Sequence, residues 1–564
     1  MPRPRRPPPP PPSPPRRHRP SPPPPPPPPP LPLPLRSEAA SSARPLPRLA
    51  PLRQEEQGMP SAAAGSPLRV YVYEMPSEFT TALLQYRGVH SAPHRETNVY
   101  GASQLVQGSL YAMETALHEW LLDSRLRTAD TAQAHLFFVP VYVSSLYLWP
   151  IHGASTAPLY GGRRHRGATR VQQATLMLRA AAEYVRSALP FWNASGGADH
   201  VWMLLHDEAP CFAPRELRPS LLLTHYGYDA RRPLSWSSYA DDDWLRSPAF
   251  YEEHVGPLAG PREGKREGRP AGGRPRGGAA CFERGKDLVL PPWKPPSFWR
   301  APLSDPGLAA PGRRRGTYLF FAGELGAKRL PGYSHDLRQR AEALFCDPRE
   351  PRPRRDCLEH AAGCRSDLAP NCSLWRPGVR VVPHVRRGGY GAALSDSTYC
   401  LALPGDGWSS RVLDAVVHGC VPVIVQDESA MFFEGAFSLA GAPELEYSSF
   451  SLRLPEAELP RVLEALDAVT APRLRAMQAA ALRVRDYFVY KDVYAPYRYE
   501  RKALLATGRP RQDGFLLLAL ALEARARQLG KLPPQTEEGR RRNRALLELD
   551  GGALGEWQSP VREY

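Results

Sequence analysis

Between Ser397 and Glu434 the chain reads STYCLALPGDGWSSRVLDAVVHGCVPVIVQDESAMFFE, and its residue types suit the binding of a diphosphate. Tyr399 to Leu403 has strand character and stops at Pro404, the loop Gly405-Asp406-Gly407 follows, and Ser409 or Ser410 can cap a helix. A helix start offers unpaired N–H groups and the positive end of the dipole, and ligands of open α/β sheets sit beside the carboxyl ends of strands. Gly405 and Gly407 let the backbone approach phosphate oxygens, Ser409 and Ser410 can donate hydrogen bonds, and Arg411 can add a forked, charge-assisted contact. Asp414, one turn further on, can accept from ribose hydroxyls. On such a helix Val412, Leu413, Val416 and Val417 make the buried stripe, while Arg411, Asp414 and His418 recur on another face. Spacing alone equally allows an ordinary capped helix with an Arg411–Asp414 surface ion pair.

Three further groups bear on chemistry. His206-Asp207 closes a strand-like run, HVWMLLHD, and either side chain could act as a general base, Asp207 being preferred; a strand-end aspartate capping a loop is the alternative. Lys328, Arg329 and Arg338 follow the run TYLFFAGEL, and Arg338, in HDLRQR, is the favoured cation for a leaving diphosphate, with a plain surface charge as its alternative. Asp241-Asp242-Asp243 contains a D-x-D, a pattern that can hold a divalent metal on a nucleotide, but it lacks a preceding apolar strand and reads as a solvated acidic loop. No metal site is expected. Ser409 in GWSSR lacks the second glycine of a nucleophile elbow, which argues against a hydrolase.

The elements that must position these residues alternate. Short apolar runs begin at Leu68, His135, His200, Leu221 and Asp287, separated by helix-like stretches such as Tyr111 to Leu122 and Val171 to Ala188. A second series begins at Thr317, Val379, Thr398 and Val421, with helical character over 456–506. Strands alternating with helices predict α/β domains with parallel sheets. The divisions expected are a disordered Pro/Arg-rich tail (1–66), a first domain (67–311) with a disordered insertion near 256–280, a second domain (312–506), and a charged, helical C-terminal extension (507–564).

Composition narrows the setting. The chain has 564 residues and a formal charge of +16, and its first 53 residues hold ten arginines, no lysine and one acid, so the tail supplies +9 of the total. Twenty-five of the 67 prolines also fall there, favouring solvated polyproline II, and no aromatic residue offers a base-stacking platform, so nucleic acid is not an expected partner. No run approaches the roughly 18 apolar residues of a membrane helix; Phe515 to Leu522 is the longest outside the tail. Of eight cysteines, Cys346, Cys357, Cys364 and Cys372 crowd into one Pro-containing stretch without a C-x-x-C, which predicts disulfides rather than zinc. Sequons at Asn193 and Asn371 fit a lumenal protein.

The order strand, Pro-Gly-Asp, Ser-Ser-Arg, Leu-Asp-Ala, then His-Gly-Cys-Val-Pro-Val-Ile-Val closely resembles the signature of the exostosin-like glycosyltransferases. Val70–Pro76, Ala134–Tyr142, His200–Asp207, Lys286–Pro292 and Leu319–Gly323 are similar to further elements of that family, in its order, so the resemblance spans roughly residues 68–500. It implies a GT-B architecture, two Rossmann-like domains facing across a cleft, with the nucleotide on the C-terminal domain and the acceptor mainly on the other. It also implies inverting transfer from a UDP-sugar to a polysaccharide or glycoprotein glycan, with no cofactor beyond that substrate, in the Golgi lumen. Ser409, Ser410, Arg411 and Asp414 carry over as donor residues, although several members have Glu at the position of Asp414. No counterpart of the family's N-terminal signal anchor is recognised, so membrane association is expected through a missing or unrecognised segment. Two rivals are a metal-dependent GT-A transferase using Asp241 and Asp243, and an inactive glycan-binding scaffold.

Overall fold

The computed structural model describes residues 67–83, 111–144, 160, 168–229, 248–256, 281–305, 307, 312–325, 333–349, 371–386, 388–405, 407–492, 500–509 and 512–547. The tail, the insertion over 257–280, Asp241 to Asp243, Lys328, Arg329, Cys357 and Cys364 lie outside these residues.

Val70–Val72 (β1), Arg127–Thr128 (β2), Leu136–Val139 (β3), His200–Leu204 (β4), Leu221–Thr224 (β5) and Leu288–Val289 (β7) form one parallel sheet in the order β2-β1-β3-β4-β5-β7. Thr317–Ala322 (β8), Val379–Val382 (β9), Ser397–Ala402 (β10), Val421–Val425 (β11) and Leu452–Leu454 (β13) form a second, also parallel, in the order β13-β11-β10-β8-β9. In each, the chain moves outward one strand and then crosses to the other side, so the order reverses between β1 and β3 and again between β8 and β10. Such reversals open a crevice at the carboxyl ends of the two strands concerned. The fold is α/β, two parallel sheets each with helices packed on it, as expected for a GT-B arrangement.

The helices follow their sequence signals. Arg170–Ala188, here α2 after Met113–Asp123 (α1), starts with a capping box: the Thr169 hydroxyl accepts from Gln172 N at 3.3 Å and Gln172 Oε1 accepts from Thr169 N at 3.0 Å. Pro296–Ser304 (α3), Leu337–Phe345 (α4), Gly389–Ser395 (α5), Arg411–Val417 (α6) and Ala471–Val484 (α7) flank the second sheet or its junction with the first. Period-two alternation sorts the strand residues: Leu319, Phe321, Tyr399 and Leu401 face a core with Leu337 and Phe345 of α4, whereas Phe320, Ala322 and Cys400 face Leu394 of α5 and Ala415 of α6.

The halves are knit together rather than merely adjacent. Gly227–Tyr228 (β6), just beyond β5, pairs antiparallel with Ser429–Ala430 (β12), just beyond β11. Phe433 N also donates to the Val289 carbonyl at 2.6 Å, and Asp229 N to that of Glu428 at 3.1 Å. The stripe Val412, Leu413, Val416 and Val417 packs into the same continuous core as the first sheet.

Beyond residue 507 the structure shows more than charge. The apolar run from Phe515 to Leu522 lies in Gly514–Gln528 (α8) and is buried throughout. Phe515 stacks on Trp120 of α1 at 4.6 Å between centroids and 5° between planes, and Tyr490 closes on it at 4.7 Å. Lys531 Nζ then reaches Asp199 Oδ2 at 2.7 Å. Asp199 also receives Ser195 and His200 at 2.5 and 2.9 Å; burial pushes its pKa up, but these hydrogen bonds outweigh it and hold the carboxyl down at about 2. No helix among the described residues is long and apolar enough to cross a membrane.

Three disulfides stand among the described residues: Cys211–Cys281, Cys346–Cys372 and Cys400–Cys420. The second draws on the predicted cluster; the other two join cysteines that spacing left unassigned.

Removing the Phe515 ring takes one side of the Trp120 stack from a closed core. Phe515→Ala should cost about 3–5 kcal/mol in urea denaturation.

Candidate active site

The loop after β10 is shaped by glycines and one tryptophan. Gly405 N donates to the Trp408 carbonyl at 3.0 Å, closing the turn, and a Cβ at Gly405 would come within 2.9 Å of that oxygen. Gly407 has φ +96°, and a Cβ there would lie 2.4 Å from the Asp207 carbonyl oxygen. Asp207, at the end of the first domain's HVWMLLHD segment, is thus in backbone contact with the loop of the second. Trp408 inserts its ring beside His225, Phe432 and Tyr111 at 4.8, 5.8 and 6.3 Å between centroids, and Gln426 Nε2 donates to the Gly407 carbonyl at 3.1 Å.

The expected cap is absent. Ser410, preceding α6, has helical backbone angles and makes no side-chain capping bond, and Ser409 Oγ accepts from Arg411 N only at 3.4 Å. The serines serve their neighbours instead: Ser409 Oγ accepts from Arg411 Nη1 at 3.1 Å, and Ser410 Oγ donates to Asp414 Oδ2 at 3.2 Å.

Arg411 does not pair with Asp414. Its Nε and Nη2 donate to the Ala322 carbonyl at 3.2 and 2.8 Å, and the guanidinium covers the Phe321 ring at 4.6 Å. A Cβ on Gly323 would fall 1.6 Å from Nη2, so the glycine ending LFFAG is what seats this arginine. Arg338, buried on the first turn of α4, approaches Phe321 at 5.7 Å. It donates from Nη1 to Tyr333 Oη at 2.5 Å and the Glu324 carbonyl at 3.2 Å, and from Nη2 to the Leu403 carbonyl at 3.4 Å. Ser334, His335 and Asp336, just before α4, all have positive φ (58°, 53° and 62°), and Ser334 Oγ anchors that turn on the Pro404 carbonyl at 2.7 Å. Two guanidinium groups therefore flank one ring where β8 and β10 diverge.

Asp414 is buried, with three partners. Lys294 Nζ, from the segment between β7 and α3, lies 2.9 Å from Oδ1, while Tyr390 of α5 and Ser410 donate to Oδ2 at 3.0 and 3.2 Å. Burial and the Asp414 charge push the Tyr390 phenol well above its usual range, so it stays a donor. His418, behind Asp414, has Nδ1 3.0 Å from the Asp414 carbonyl; burial lowers its pKa, and it is neutral.

On the opposing side, Asp207 Oδ1 accepts from Tyr111 Oη at 2.6 Å. His206 stacks on the same Tyr111 ring at 5.9 Å and is buried; burial and the charge of Arg170 hold its pKa at about 3. A neutral, enclosed imidazole is poorly suited to exchange protons with substrate, which leaves Asp207 as the better base of the pair. The structure therefore brings Gly405, Ser409, Ser410, Arg411, Asp414 and Arg338 to one end of the second sheet, with Asp207 touching the loop they share. Lys294, Gly323, Tyr390 and Trp408 were not among the expected site residues. Trp408, a large aromatic in an otherwise polar loop, was the one readable signal.

The family model described as the exostosin GT47 domain matches residues 64–469. The chain belongs to the exostosin GT47 family. It is a glycosyltransferase, like the curated relatives it matches. A probable glucuronosyltransferase of Oryza sativa subsp. japonica is 26% identical over 471 residues, covering 81% of this chain and 79% of that protein. A probable glucuronoxylan glucuronosyltransferase of Arabidopsis thaliana is 24% identical over 427 residues (73% and 66%), and a probable beta-1,4-xylosyltransferase of the same plant is 23% identical over 370 residues (65% and 66%).

Gly407 can approach the Asp207 backbone this closely because it has no side chain. Gly407→Ala should cost roughly 2–3 kcal/mol through positive φ and overpacking and should also depress transfer, read by urea denaturation and product formation.

Proposed function

We propose that the chain transfers a sugar from a UDP-sugar to a polysaccharide or glycoprotein glycan with inversion, using no metal. The observation that carries this reading is the pair of guanidinium groups, Arg338 and Arg411, at the crevice between β8 and β10. Fixed cations at the carboxyl end of a parallel sheet match the charge of a diphosphate and supply the neutralisation that a leaving UDP requires. Asp414 accepts from the ribose. An acceptor hydroxyl attacks the anomeric carbon from the opposite face, its proton passes to the Asp207 carboxylate, and the bond to the β-phosphate oxygen breaks with its electron pair staying on UDP. The names of the relatives favour a glucuronosyl or xylosyl donor and a plant wall glycan.

We further infer a Golgi lumenal setting. The three disulfides need an oxidising compartment to form and persist, and Asn193 and Asn371 of the two sequons are exposed. In protein from its native source, Cys211, Cys281, Cys346, Cys372, Cys400 and Cys420 should resist alkylation until reduced. Their ready alkylation, together with no mobility change on deglycosylation, would exclude the secretory route.

For the donor site, Arg411→Ala should weaken UDP binding by roughly ten- to a hundredfold, the loss of one charge-assisted contact. Asp414→Asn should weaken UDP binding while largely sparing inorganic diphosphate. Calorimetric titration decides both; wild-type affinity in each folded variant would remove this crevice from donor binding.

A further inference from the structure

Lys294 belongs to the first half of the chain, yet its ammonium lies on the donor helix of the second. It stands in PPWKPP, where Pro291, Pro292, Pro295 and Pro296 restrict the backbone on both sides. Trp299 Nε1 ties down its carbonyl at 3.0 Å, and Trp293 beside it is buried. The side chain runs over the Phe298 ring at 4.7 Å, is itself only 15% exposed, and ends 2.9 Å from Asp414 Oδ1 and 3.3 Å from Ser410 Oγ. A flexible lysine held on every side by rigid groups is poorly suited to be a solvated surface charge.

The contact with Asp414 is an ion pair without hydrogen-bond alignment: Oδ1 is buried and takes no hydrogen bond, whereas Oδ2 takes two. Oδ1 thus lies enclosed against the ammonium, with acceptor capacity that no hydrogen bond uses.

We propose that Lys294 is a positioning residue for donor binding, holding the Asp414 carboxylate in place on the donor helix so that it is ready to accept from the ribose of a nucleoside diphosphate. This rests on the donor-site reading above and adds a cation from the other half of the protein. The groups facing Asp414 are few. From α5 there is Tyr390, a neutral donor; from its own helix there are Ser410 and the neutral His418; from the α3 side there is Lys294 alone. Arg411 is turned away onto Ala322, and Arg338 onto Leu403 and Glu324. No other cation contacts the carboxylate among the described residues, so without Lys294 it is left buried and without a counter-charge.

Calorimetric titration of UDP into the full-length protein, set beside donor kinetics, tests this. Lys294→Met should bind UDP about tenfold more weakly, with a raised KM for donor and little change in kcat. Lys294→Gln can still bond Ser410 but lacks charge, and should weaken binding likewise; Lys294→Arg should largely restore wild-type behaviour. Neutral variants that fold and follow the wild-type curve would overturn the proposal. So would neutral variants that fail to fold while Lys294→Arg folds and binds normally, since the residue would then serve the fold alone. Arg411→Ala separates the two readings: if it binds UDP as wild type does, the donor site itself is misassigned, whereas if it loses UDP and the Lys294 variants do not, only the role of Lys294 falls.

Discussion

The cleft geometry depends on the wedge made by Trp408. Its ring leaves water between the two sheets, and at about 25 cal/mol per Å2 over roughly 200 Å2 such burial is worth on the order of 5 kcal/mol at most. That is enough to fix the loop before it, where Gly407 meets the Asp207 backbone, and the helix after it, which carries Arg411 and Asp414. Were the wedge withdrawn, acceptor-side and donor-side groups would lose their common reference.

Electrostatics around the loop follow one pattern: Arg411, Arg338 and Asp414 are each engaged by fixed partners. Arg411 is satisfied by a strand-end carbonyl and a ring face, Arg338 by carbonyls and a phenol, and Asp414 by an ammonium and two hydroxyls. In each case the partners are in place before any ligand arrives. The glycine at 323 belongs to this pattern, since a methyl there would take the place of the guanidinium.

Much of this was legible in the sequence, for identifiable reasons. The strands at Val70, Leu136, His200, Leu221, Thr317, Ser397 and Val421 are dense in apolar residues because parallel strands are buried on both faces. Arg127–Thr128 and Leu452–Leu454 escaped notice: they are edge strands, two and three residues long, with partly exposed side chains. The site was half legible. Local order placed Gly405, Ser409, Arg411 and Asp414 on one turn, but the partner of Asp414 sits 120 residues earlier, and the seat of Arg411 is made by the missing side chain of Gly323. Neither leaves a periodic trace. The capping role expected of the serines failed because their hydroxyls are already engaged by Arg411 and Asp414.

The return of α8 onto α1 has a consequence for biosynthesis. Phe515 leaves the ribosome about 395 residues after the Trp120 it covers, which at roughly 5–20 residues per second is an interval of tens of seconds. Throughout that time the face of α1 that carries Trp120 lacks its cover, an apolar surface of the kind that holding chaperones bind. Maturation of the first half is therefore not purely vectorial: the packing around Trp120 closes only when α8, one of the late helices, arrives.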